Sequence, residues 1–207
     1  MTIAGVEFNP RLTILIILST ILPMLDYYGH SPTGTKAFDR FILYFLIPMV
    51  IILLVYRERP ADYGFRRGHW EAGLRWTMAI CLVMALVLWQ LARTPEMQSY
   101  YLAKAPRNPV RFFFLTAVDL LGWEFIWRGF VLFGMARVLG PGPAIFLQAV
   151  PFAFMHLGKP EIETLSTIFG GAAFGLLAWR TKSFLYPFLV HYFITIFTMM
   201  VATGRIG

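Results

Sequence analysis

The chain consists largely of long apolar blocks separated by short polar stretches. Such blocks predict membrane-spanning helices, because an α-helix needs about 20 apolar residues to cross the hydrocarbon core of a bilayer. Only 14% of the residues are charged, against roughly 25% in an ordinary soluble domain. The sequence therefore predicts an all-α, polytopic integral membrane protein and argues against a soluble globular fold.

We predict seven transmembrane spans. They are Leu12–Tyr28, Phe38–Tyr56, Trp76–Leu91, Arg111–Leu139, Pro143–Leu157, Ile162–Trp179 and Phe184–Ala202. The fourth span is long enough to be one tilted helix or two pieces bent near Gly122. In the sixth, Gly171 and Gly175 form a small-xxx-small pair, which permits close helix packing in lipid. We expect one integral membrane domain, with N-terminal helices over residues 1–110 and a core over residues 111–207.

The formal net charge of +7 does not predict a nucleic-acid partner. The basic residues lie at the ends of the apolar blocks, where the positive-inside rule and lipid head groups explain them. That rule places the loop with four arginines at residues 57–67 in the cytoplasm, and the loop at residues 180–182 on the same side. The loop at residues 92–108 should then face outward, although it is also basic. No signal-peptide pattern precedes the first span, so we expect it to stay in the membrane.

Four ionisable residues stand out within the last four spans: Glu124, Arg128, His156 and His191. Such groups cost roughly 2.5–3.5 kcal/mol on insertion scales and usually face a bundle interior or a water-filled cavity. We therefore predict a polar intramembrane cavity in the C-terminal half. Glu124 and Arg128 are four residues apart and share a helix face, which is equally compatible with a structural ion pair.

Helix geometry predicts that a carboxylate and two imidazoles lie at comparable depth. At 1.5 Å per residue, Glu124 and His156 are about 24 Å and about 22 Å from the turn at Pro141, and His191 is about 15 Å from the turn at Thr181. A glutamate with two histidines is a set that binds a divalent metal such as Zn²⁺ or performs acid–base chemistry. Each histidine taken alone is also compatible with a structural role, bonded to a backbone carbonyl.

Three further residues are candidates for a supporting role. Thr195 lies one turn after His191 and either bonds the ring or a water, or bonds back to a helix carbonyl. Asp119 lies about one turn before Glu124 and becomes a candidate base if it lies beside the histidines. Glu163 suits the first turn of a helix because of the helix dipole, and a role as an outer partner of the site is the alternative.

The order of these motifs resembles that of a known family. Over about Leu115–Ala202, the chain is similar to the CAAX-processing and bacteriocin-processing (CPBP, abortive-infection type) intramembrane proteases. The matching residues are Glu124, Arg128 and Gly129, then Phe152 and His156, then His191 and Thr195. The resemblance implies a helical fold around a hydrophilic cavity. In it, a glutamate activates water, while histidines and a polar residue position the water or a divalent metal.

Two positions depart from the pattern of that family. The family usually has two adjacent glutamates, the first of which is generally taken as the catalytic base, and here the first position is Trp123. Adjacent helical residues point about 100° apart, so Glu124 does not automatically replace the missing carboxylate. The third motif usually ends in Asn or Asp, and here it ends in Thr195.

Three functions are compatible with these residues. The first is an intramembrane endopeptidase of a bacterial inner membrane, cleaving a peptide or membrane protein near the membrane surface. In that hypothesis Glu124 is the general base for a water held by His156 and His191, with or without Zn²⁺, and Arg128 fixes Glu124 or stabilises the oxyanion. The second, favoured by Trp123, is a non-catalytic membrane scaffold or immunity-type binding protein. The third is a transporter or proton relay.

Overall fold

The computed structural model describes residues 2–29 and 31–206. Within these residues the fold is almost entirely helical, and its one sheet is an antiparallel pair of strands, β1 (Thr2–Ile3) and β2 (Val6–Glu7). The eight helices are α1 (Pro10–Tyr27), α2 (Lys36–Tyr56), α3 (Trp70–Leu91), α4 (Pro95–Leu102), α5 (109–139), α6 (Pro141–Phe154), α7 (Glu161–Thr181) and α8 (Leu185–Ala202). A short 3₁₀ turn at Pro60–Tyr63 lies between α2 and α3.

Each of the seven predicted spans coincides with one of these helices. α1, α2, α3, α7 and α8 are long and apolar enough to cross a membrane. α5 is longer but carries several ionisable residues within its apolar run, and α6 is shorter. The prediction of an all-α, polytopic membrane bundle is confirmed. The short helix α4 was not predicted.

The starts of two helices follow directly from the sequence. At α1, the side chain of Asn9 accepts hydrogen bonds from the backbone N–H groups of Arg11 and Leu12. At α5, the side chain of Asn108 accepts one from Arg111. In both helices a proline follows the asparagine, and proline is suited to the first helical position because its missing N–H has no partner there anyway. α7 begins after Pro160 with two glutamates in its first turn, as the sequence predicted.

α5 is one continuous helix and the centre of the bundle. Its residues 125–131 are wound as a π-helix, and every side chain in that segment is buried. The helical winding continues through Gly122, and a bend at that residue stays a prediction. Gly122 is a point of close approach, where an added Cβ would lie 3.1 Å from the carbonyl oxygen of Arg40 in α2. π-Helical turns are rare and occur often at functional sites.

The small-residue pair of α7 packs closely against α6, as predicted. A Cβ added at Gly171 would lie 3.0 Å from both the Cβ of Ala149 and a ring carbon of Phe152. One added at Gly175 would lie 2.7 Å from Nε2 of Gln148. The same Nε2 donates a hydrogen bond of 2.8 Å to the carbonyl of Gly171. Close contact between the two helices fixes the position of Phe152, which lies next to the candidate site.

The two basic loops predicted to share a side of the membrane are in direct contact. The N–H of His69 donates to the carbonyl of Thr181 at 2.8 Å, and the N–H of Phe184 donates to the carbonyl of Gly64 at 3.3 Å. Their common side is therefore confirmed, while the assignment of that side to the cytoplasm stays a prediction.

Candidate functional site

The carboxylate of Glu124 lies between two cationic or basic side chains from different helices. Glu124 is the last residue of α5 before its π-helical segment, and its side chain is 0% exposed. Its Oε1 lies 2.6 Å from Nδ1 of His191 on α8 and 3.3 Å from Nη1 of Arg128. Its Oε2 lies 3.3 Å from Nε of Arg128. The structure thus brings together the carboxylate of the fourth predicted span and the imidazole of the seventh.

The guanidinium of Arg128 is covered by aromatic rings. Its side chain is 0% exposed. Its Cζ lies 3.9 Å from the ring centroid of Phe152 and 5.2 Å from that of Phe174. Cation–π contacts of this kind stabilise a charge that water does not reach. Arg128 and Glu124 therefore form a desolvated ion pair, which agrees with the structural interpretation of the pair as well as with a role beside a catalytic group.

The ring of Phe152 lies between His156 and this pair. It follows the end of α6, is 7% exposed, and its Nδ1 lies 2.8 Å from the carbonyl oxygen of Phe152. Because a carbonyl only accepts, Nδ1 carries the proton in the neutral ring and Nε2 keeps its lone pair. The Phe152 ring lies 4.7 Å from the imidazole of His156 and 5.9 Å from that of His191, measured between centroids. The two histidines therefore flank one phenylalanine.

Trp123 occupies the position at which the resemblance predicts a first glutamate. It is 5% exposed. Its ring centroid lies 6.2 Å from that of His156 and 5.9 Å from that of Phe152. The Cζ of Arg40, a residue of α2, lies 5.1 Å from the centroid of the Trp123 ring. An indole, and not a carboxylate, is therefore the group that this position presents to His156.

Asp119 belongs to a second ion network and not to the group around Glu124. Its Oδ2 lies 3.2 Å from Nη1 of Arg40. The same guanidinium binds Asp26 of α1, with Nε 3.0 Å and 2.9 Å from the two carboxylate oxygens. Three helices are thus joined by one arginine. Asp26 and Arg40 were not among the predicted site residues, although both lie in predicted spans, where the cost of burying a charge marks them as significant.

The remaining two supporting candidates lie apart from the carboxylate. Glu163 accepts a hydrogen bond from the hydroxyl of Tyr101 at 2.8 Å and one from Nζ of Lys159 at 2.5 Å. It thereby links α4 to the start of α7. Thr195 is half-buried, and within residues 2–29 and 31–206 its hydroxyl has no hydrogen-bond partner, so the predicted back-bond to a helix carbonyl is not formed.

The donor atoms fit a metal ion poorly in this arrangement. Among the residues that the structure describes, no group of three or more His, Cys, Asp and Glu side chains could hold one. Nδ1 of His191 and Oε1 of Glu124 are hydrogen-bonded to each other at 2.6 Å, and Nδ1 of His156 faces a backbone carbonyl. These atoms do not converge on a common point. Zn²⁺ bound by Glu124, His156 and His191 therefore stays a prediction.

Two pockets are found elsewhere in the bundle. One is lined by Leu25, Pro32, Asp39, Ile42 and Leu43, and the other by residues 68–72 and Arg75. Neither is lined by Glu124 or the two histidines. Among Glu124, Arg128 and His191, which form the ion-paired cluster, His191 is the residue that reaches the surface, with 12% of its side chain exposed. The predicted polar cavity around the cluster stays a prediction.

Comparison with known proteins supports the order of motifs. No curated protein and no solved structure matches the chain. A family model described as type II CAAX prenyl endopeptidase Rce1-like matches residues 105–197, a segment that begins just before α5 and ends within α8. It contains Glu124, His156 and His191. With five apolar helices long enough to span a bilayer, the chain is a multi-pass membrane protein, and its residues 105–197 are similar to the Rce1-like domain of the type II CAAX prenyl endopeptidases.

Proposed function

We propose that the protein is an intramembrane peptidase in which His191, oriented by Glu124, activates a water molecule. The observation that carries this proposal is the 2.6 Å contact between Nδ1 of His191 and Oε1 of Glu124. An ionised carboxylate only accepts hydrogen bonds, so Nδ1 of the neutral ring carries the proton and Nε2 keeps a lone pair. A carboxylate that fixes the tautomer of a histidine base in this way is the arrangement of the Ser-His-Asp triad.

This geometry changes the role that the sequence suggested for Glu124. A side chain that is 0% exposed and bound to Arg128 and His191 does not reach a water or a substrate. Glu124 therefore acts as a positioning residue, and it stabilises the imidazolium that forms when His191 takes up a proton. Arg128 in turn holds the carboxylate in place.

The chemistry assigned to His191 is the hydrolysis of an amide bond. Nε2 accepts a proton from water as the water oxygen attacks the carbonyl carbon, and then donates that proton to the nitrogen of the leaving peptide. The products are a carboxylic acid and an amine. Thr195, one helical turn further along α8, supplies a hydroxyl on the same helix face. The substrate is a peptide or membrane protein, as the Rce1-like domain suggests, and a bacterial inner membrane is the proposed location.

The test is cleavage of membrane-anchored reporter peptides by the full-length protein in liposomes. His191→Ala should lower kcat by about 10²–10⁴, the usual contribution of a general base. Glu124→Gln should lower it as well, because the amide removes the negative charge that stabilises the imidazolium. Glu161→Gln, which makes the same change at an exposed carboxylate, is the matched control for Glu124→Gln and should leave kcat unchanged. Unaltered cleavage in both site variants would refute the assignment.

A second candidate function, a non-catalytic binding protein of the same fold, is favoured by Trp123. The indole fills the place of the first glutamate and packs against His156, so this position supplies no base. In that case the wild-type protein should cleave none of the reporter peptides. A partner captured by the wild type should bind Glu124→Gln equally well, because no proton transfer depends on that carboxylate.

A further inference from the structure

The loop before α3 is fixed against the turn between α7 and α8. The hydroxyl of Tyr186 donates to the carbonyl of Arg67 at 2.6 Å, and Nε of Arg66 donates to the carbonyl of Lys182 at 3.1 Å. Gly68 has a φ of +56°, and a Cβ there would lie 1.9 Å from the carbonyl oxygen of Thr181. Only glycine allows this approach. We call residues 66–75 and 180–182 together the basic platform.

The basic platform carries five cationic side chains and one carboxylate. The cations are Arg66, Arg67, Arg75, Arg180 and Lys182, and the acid is Glu71. The four arginines are exposed. The ammonium of Lys182 lies 3.5 Å from the ring centroid of Trp179, which holds it over the aromatic face. The fixed backbone therefore presents a concentrated positive charge at one place on the protein surface.

A pocket opens within the basic platform at the start of α3. It has a volume of about 420 Å³ and is lined by Gly68, His69, Trp70, Glu71, Ala72 and Arg75. The indoles of Trp70 and Trp76 are 55% and 58% exposed. Exposed tryptophans at the end of a membrane span mark the level of the lipid head groups. The pocket thus lies at the depth where phosphates of the bilayer are found.

We propose that the basic platform is a binding site for the phosphate head group of an anionic phospholipid. Guanidinium groups bind phosphate oxygens through paired hydrogen bonds. Arg75 lines the pocket, and the other cations of the basic platform belong to the same loop and to the turn that fixes it. A general excess of positive charge on one side of a membrane protein would not require a loop fixed by three hydrogen bonds and a positive-φ glycine. The residues that line the pocket lie outside the segment matched by the family model, and the proposal does not depend on peptidase activity.

The test is lipid binding to the full-length protein in neutral detergent, where both ends of the bundle are equally accessible. Native mass spectrometry should show phosphatidylglycerol retained in preference to phosphatidylcholine. Each arginine removed should weaken retention about fivefold, the effect of roughly 1 kcal/mol per basic residue near anionic lipid. The variant Arg67→Gln/Arg75→Gln should therefore weaken it by more than tenfold. Both substitutions keep the backbone bonds of the loop.

The matched control is Lys104→Gln/Arg107→Gln, which makes the same change of charge at two exposed residues in the loop before α5. It should leave phosphatidylglycerol binding unchanged. Equal losses in both double variants, or equal retention of the two lipids, would refute the site. Full competition by millimolar inorganic phosphate would assign the pocket to a soluble phosphate and overturn the lipid assignment.

Discussion

Replacing Arg128 by methionine is expected to destabilise the folded protein by about 3 kcal/mol. Breaking a buried ion pair by removal of one partner usually costs about 3–5 kcal/mol, because the other charge is left without compensation. Both side chains of the Glu124–Arg128 pair are 0% exposed, so water does not replace the guanidinium. The lower end of the range applies because Nδ1 of His191, 2.6 Å from the carboxylate, still donates a hydrogen bond to it in the variant.

Thermal unfolding in detergent, followed by tryptophan fluorescence, measures this loss. In a chain of 150–250 residues, 1 kcal/mol corresponds to about 2–4 °C, so Tm should fall by about 6–12 °C. The double variant Glu124→Gln/Arg128→Met should recover most of the loss, since a buried pair replaced as a whole is often neutral. Arg180→Met, at an exposed residue, is the control. A Tm within 3 °C of wild type for Arg128→Met, or no recovery in the double variant, would show that the buried ion pair does not contribute as described.

Two further predictions concern helix packing and pH. Gly171→Ala should destabilise the protein by about 1–3 kcal/mol through overpacking, because its Cβ would lie 3.0 Å from side chains of α6. Gly170→Ala is the control, since a Cβ there meets nothing within 4 Å. Equal Tm values for the two variants would contradict this prediction. Burial alone would raise the pKa of Glu58, but hydrogen bonds from Tyr63 and Arg137 hold it below its ordinary value of 4.5. The stability that Glu58 contributes is therefore present above pH 4.5 and is lost as the pH falls through the lower pKa of the folded state. Glu58→Gln should flatten the decrease of Tm below pH 4.5, and an unchanged pH profile would contradict the assignment.

The positions of the helices were predictable because apolar length and helix rise are both fixed by the bilayer and the backbone. The same arithmetic placed Glu124 and His191 close enough to meet, and they do, at 2.6 Å. It also placed His156 at a similar depth, where the structure has it across the ring of Phe152. Depth is a one-dimensional quantity, and a sequence with long apolar blocks specifies it well.

Rotation about each helix axis was not predictable in the same way. Asp119 shares a helix with Glu124 but binds Arg40, because the direction of its side chain depends on which helices pack around α5. The π-helical winding of residues 125–131 has no recognisable signal in the sequence, and it changes the angle between successive side chains. The partner of Trp123 on α2 follows from a contact between distant parts of the chain, which spacing alone does not reveal.

The π-helical segment also makes the number of residues in α5 matter as much as their identity. A π-helical turn holds more residues than an α-helical turn, so rewinding 125–131 as an α-helix at unchanged length would rotate everything downstream, by about 100° for each surplus residue. Arg137, whose guanidinium binds Glu58 near the far end of α5, would lose that partner, while Glu124, upstream of the segment, would keep His191. The wide turns thus accommodate a surplus residue and keep the two charged ends of this helix in phase with the residues that bind them, so a one-residue deletion within 125–131 should disturb the fold less than one elsewhere in α5.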